Sequence, residues 1–226
     1  MELDVPPIEV FGYLQSPEYE ADLAATGRVW GRPLVLETAG VFVFLTYLTL
    51  PALLDVRSAS GSPARSVLDG ERERAFLLYL LGFTDDVSWR GGIRNPRVRQ
   101  RMTSLYVHHS RFPGMQPQYL DFIAAVMSLA PLRVWAAAEA APPDGDRSCY
   151  WRYMRHAVSL LGAGIVDEEA TQDRCAAFIE THAAPSPEGL RLLKSLVQHH
   201  PRYVELAMPI LFKPSQSTVN ALFMEH

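Results

Sequence analysis

Apolar residues recur along this chain at intervals of three and four, and almost nowhere in the strict alternation a half-buried strand requires. Ser16-Pro17-Glu18 reads as the N-cap and first two positions of a helix ending near Gly27. A long apolar stretch follows from about Leu34. SASGSPARS (58–66) has the composition of a loop, and a helix from about Ser66 to Leu81 is stopped by Gly82. After a second break, WRGGIRNP (89–96), Pro96 starts a helix to about Phe112, ended by Pro113-Gly114. Pro117 opens the next, which runs through Trp135 to about Ala141, and APPDGD (141–146) reads as a loop. Tyr150 to Leu161 is amphipathic, with Trp151, Met154, Val158 and Leu161 on one side. Asp167 caps DEEATQDRCAAFIETHA, whose acidic start suits the positive end of a helix dipole. Ser186-Pro187-Glu188 repeats the capped start, and Pro201 divides the last two helices. With no internal repeat and no low-complexity segment, the pattern predicts one all-α domain over 1–226, without significant sheet.

Composition narrows this little. A chain of 226 residues, 48% of them hydrophobic, can bury one sizeable core. A formal charge of −4 points away from nucleic acid, and the basic run RNPRVRQR (94–101) reads as a solvated helix face. Cys149 and Cys175 make neither a metal site nor a disulfide framework, which fits a reduced, cytoplasmic setting. MELDVPPIEV lacks the basic and apolar regions of a signal peptide. One segment, 34–54, is 21 residues long with a single charge, Glu37, and could span a bilayer by length. Glu37, the internal Pro51 and the lack of a flanking Lys/Arg cluster favour a buried central helix instead, and no stable membrane insertion is expected.

Candidate chemistry gathers in VHHSRFPGMQPQYLDF (107–122). Two adjacent helical residues point about 100° apart, so at most one of the paired histidines can face a given interior. On a wheel, Met102, Leu105, Tyr106 and His109 follow i, i+3, i+4, i+7, while His108 falls with Arg101, Ser104 and Arg111. His109 is therefore the inward candidate, either as a core histidine bonded to a carbonyl or as an axial ligand to haem iron. Arg74 shares a face with Leu77, Leu78 and Leu81 and needs an anionic partner there. That partner is Glu37 or another internal carboxylate on one reading, and a haem propionate or substrate carboxylate on the other. Arg72, on the face of Phe76 and Tyr79, takes the role if the register slips. His156, near Arg152 and Ser159, reads as a half-exposed helix residue, and His199-His200 as a helix end before Pro201. Zincin or di-iron spacing, a nucleophile elbow and a glycine-rich phosphate loop are all missing from the sequence. Without CxxCH, any haem is bound non-covalently.

LYVHHSRFPGMQPQYLDFIAAVMSLAPLRVW resembles a segment of the rubber oxygenase (latex clearing protein) and mycophenolate-type prenyl-chain oxygenase family. The likeness rests on His109-Ser110-Arg111-Phe112, then Gln116-Pro117-Gln118-Tyr119-Leu120, then Ala130-Pro131-Leu132-Arg133 with Trp135 close by. Downstream, CYWRYMRHAVSLLGAGIVDEEATQDRCAAFIETHA is similar to that family's Trp/Gly/Met helix and the acidic helix after it, so the likeness covers roughly residues 35 to 185. It implies a globin-like multi-helix domain holding haem b, with His109 as proximal ligand, Arg74 anchoring a propionate or polarising oxygen, and O₂ as co-substrate. Tyr119 and Phe122 would wall the haem pocket. The chain departs from the family at Leu78, where a threonine is expected four residues after the arginine, and at Gln116 and Gln118, which replace an Asn/Asp pair. It is also short for the family, which implies a small apolar or prenylated metabolite, of polyketide type, rather than a polymer.

The expected function is thus a haem b-dependent oxidoreductase or oxygenase in a biosynthetic tailoring step. The alternative, favoured by Leu78, uses the same helical fold as a non-redox cyclase or isomerase, or as an apolar-ligand-binding protein. Neither reading specifies an oligomeric state.

Overall fold

The computed structural model describes residues 8–32, 35, 82, 90–111, 116–138, 142–165 and 167–182. Every regular element among them is helical. The order is α1 (Ile8–Leu14), α2 (Tyr19–Trp30), a 3-10 turn (Gly92–Arg94), α3 (Pro96–His109), α4 (Pro117–Ala138), α5 (Asp144–Ser159) and α6 (Glu168–His182). The expected all-α class is therefore the observed one. The apolar stretch 34–54, the helix expected over 66–81 and everything after His182 lie outside the described residues, apart from Val35, which is buried.

Three boundaries differ from those expected, each for a local reason. A short helix, α1, precedes the first expected one, and the chain then turns back, with the Ser16 and Tyr19 amides donating to the carbonyls of Tyr13 and Ser16. Ser16 and Pro17 belong to that turn, so α2 begins only at Tyr19. It runs past Gly27 because Val29 and Trp30 are fully buried, and packing outweighs the glycine's low helix propensity. At the other end of the chain, α5 starts inside the segment expected to be a loop. Pro143 precedes it and Asp144 and Asp146 occupy its first turn, a proline-and-acid start that suits the helix dipole.

The remaining starts follow the sequence closely. Asn95 Oδ1 accepts from the Arg97 amide at 2.9 Å, capping α3 just ahead of Pro96. Asp167 Oδ1 accepts from the Ala170 amide at 2.8 Å and caps α6. Gly82, where a helix stop was expected, has a left-handed backbone (φ +75°) that favours glycine.

Among the described residues α4 is the central helix, packed against α2, α5 and α6, with residues 124–132 buried without interruption. It is also the described helix long and apolar enough to cross a membrane, over Pro117–Ala136, and 72% of that window is buried within the protein. Pro131 lies inside it and gives no amide hydrogen. One residue beyond the carbonyl this would leave unmatched, the buried Tyr150 hydroxyl donates to the Ser128 carbonyl at 2.8 Å.

Candidate functional site

Helix α3 turns the expected face inward. Val98 and Met102 are buried, Leu105 packs on the core and Tyr106 is half-buried, whereas Arg101, Ser104 and Arg111 are exposed. Position 109 follows Met102 by two turns, at the C-terminal end of this stripe. The side chains of His108 and His109, and all of Arg72, Arg74 and Leu78, lie outside the described residues.

Close packing ties the end of α3 to α4. The Tyr106 ring lies over Gly162, where an added Cβ would come within 2.2 Å of it, and Gly162 has φ +72°. Only glycine meets both demands without strain. Two residues on, the Gly164 amide donates to Asp121 Oδ1 at 3.0 Å. Asp121 lies in the first turns of α4, between Tyr119 and Phe122. The turn 160–165 therefore clasps the last turn of α3 to the start of α4.

Tyr119 and Phe122 face α6. Phe122, 3% exposed, stacks on Phe178 with centroids 4.5 Å apart. Phe178 in turn stacks on His182 at 4.3 Å, and Tyr119 stands nearly perpendicular to both, at 5.7 Å from Phe178 and 6.1 Å from His182. His182 Nδ1 lies 3.2 Å from the Phe178 carbonyl oxygen. Gln116 and Gln118, at the positions where the family resemblance expects an Asn/Asp pair, hydrogen-bond to each other at 2.5 Å across the start of α4.

His182 belongs to this ring cluster, and the sequence reading did not single it out. A signal was present, since Cys175, Phe178, Ile179 and His182 follow the same i, i+3, i+4, i+7 template that singled out His109. Cys175 itself is buried, which pushes its thiol up to about 12 and leaves it inert.

Compared with known proteins, the chain matches no family model, no curated protein and no solved structure.

A second group of polar side chains lies elsewhere, around α2 and α5. Asp22, 0% exposed, accepts from the Tyr13 hydroxyl at 2.9 Å and from Arg152 through two hydrogen bonds, at 2.7 and 3.0 Å. Burial first, then the Asp22 carboxylate, holds the Tyr13 phenol far above its ordinary range. His156 is half-buried as expected, and its ring stacks on Tyr13 at 3.9 Å. Burial, with Arg155 beside it, lowers the His156 pKa. Tyr19 donates to the Gly91 carbonyl and accepts from the Arg94 amide, both at 2.7 Å. Tyr153 accepts from the Ile93 amide at 2.9 Å. Each hydroxyl has a structural partner, so this group braces the 90–95 turn rather than presenting reactive atoms. Among the described residues no three His, Cys, Asp or Glu side chains gather as a metal site.

Proposed function

We propose that this chain is a haem b-dependent oxidoreductase acting in the cytoplasm. Its reaction is an O₂-dependent tailoring step on a small apolar or prenylated, polyketide-type metabolite. The observation that carries the reading is the register of α3. Met102 is buried, Leu105 and Tyr106 continue its face, and position 109 is the next on that stripe. A haem iron takes as little as one imidazole from the protein, so a single histidine on such a helix suffices and no cluster of acids or cysteines is needed. An imidazole on an apolar helix face is the donor a porphyrin iron takes. The other support is the motif likeness of residues 35 to 185 to the rubber oxygenase and mycophenolate-type family.

Bound haem would supply the one-electron and O₂ chemistry that the protein's own side chains lack. The chain's residues would bind and orient. His109 would hold the iron, with Arg74, or Arg72 in its place, pairing with a porphyrin carboxylate. Of the two aromatics expected to wall the haem pocket, Phe122 is engaged with Phe178 and acts by holding α4 on α6. Tyr119, half-buried, is the one able to meet a ligand. The packed core behind them is apolar.

The test is the visible absorption spectrum of the purified protein beside its His109→Ala and His108→Ala variants, after haem-supplemented expression. A Soret band of haem stoichiometry in the wild type and in His108→Ala, lost or shifted in His109→Ala, supports the reading. Three colourless proteins that are helical and melt cooperatively overturn it, and move the search to non-redox ligands of the same fold.

A further inference from the structure

We draw no further inference here: the strongest candidate, the exposed basic stripe of Arg97, Arg101 and Arg111 along and just beyond α3, carries nothing because nothing in the structure shows what covers it, an anionic lipid surface, a nucleic acid and an acidic protein fitting its charge equally.

Discussion

Two antiparallel seams among the described helices, α2 on α5 and α4 on α6, are held by different chemistry. At the first, a fully buried carboxylate is satisfied by a tyrosine and an arginine from two other helices. At the second, aromatic rings stack and the polar contacts sit toward the far end, where Arg133 reaches Gln172 and Glu168, which also accepts from Arg147 and Trp151 of α5. A buried ion pair fixes one geometry and is costly to break, whereas apolar packing tolerates substitution that keeps its volume. The difference separates a polar brace from an apolar seam.

The largest expected effect is at the brace. Asp22→Ala leaves Arg152 without its carboxylate and the buried Tyr13 hydroxyl without its acceptor, which should cost about 4 kcal/mol in a urea unfolding titration. Arg152→Ala removes the half-exposed partner and also strands the buried carboxylate, so it should cost nearly as much. If both variants lose less than about 1 kcal/mol, the pair is not the brace described here. Phe122→Ala at the other seam should cost about 3 kcal/mol, the lower part of the range for a buried phenylalanine, because half-buried neighbours can close part of the cavity. Its distinguishing sign is a loss of stability that adds to that of Asp22→Ala, since the two seams share no side chain.

Acid should act on both seams in separate pH windows. His156 faces Arg155, Asp22, Glu9 and Arg152, and burial lowers its pKa in the folded state. Above about pH 6.5 it is neutral whether folded or not, and its environment carries no penalty. As the pH falls below that value the unfolded chain takes up the proton first, so stability is lost. Glu168 behaves otherwise. Burial pushes its carboxyl up, but hydrogen bonds from Arg147 and Trp151 and the charges of Arg147 and Arg133 outweigh this and leave it low. Its contribution is present above the ordinary glutamate range and is lost as the pH drops through the folded value. The Tm should therefore fall in two stages on acidification. His156→Phe, which keeps the stack on Tyr13 without the titration, should flatten the upper stage alone. An unchanged upper stage would assign it to another group.

Legibility in the sequence followed the same division. The α3 face, the Pro117 start of α4 and the Asp167 cap were readable because each is a local pattern of three or four residues. The brace was not. Asp22 looks like one more acid on a helix surface, and its partner Arg152 is 130 residues away, so nothing nearby marks the pair as buried. The start of α5 was hidden by composition, since Pro-Pro-Asp-Gly-Asp reads equally as a loop and as a proline-and-acid helix start. His182 was legible by the template that found His109, yet a helix read for its cap conceals what its last turn carries.

The smallest expected effect tests whether burial, rather than charge, makes the brace. Arg28 and Asp146 join the same two helices as Asp22 and Arg152, also through two hydrogen bonds, at 2.9 and 2.6 Å. The hydrogen bond from Arg28 lowers the Asp146 pKa, so the pair is formed at neutral pH. Yet Arg28 is exposed and Asp146 only partly covered, so water competes for both charges and salt screens them. Arg28→Ala should cost less than about 0.5 kcal/mol, and 0.5 M NaCl should erase most of that difference. Hydrogen-bond geometry nearly equals that of the buried pair, so a large loss at Arg28 would mean that charge pairing across α2 and α5 matters more than the desolvation of Asp22. A small one leaves burial as what separates the two.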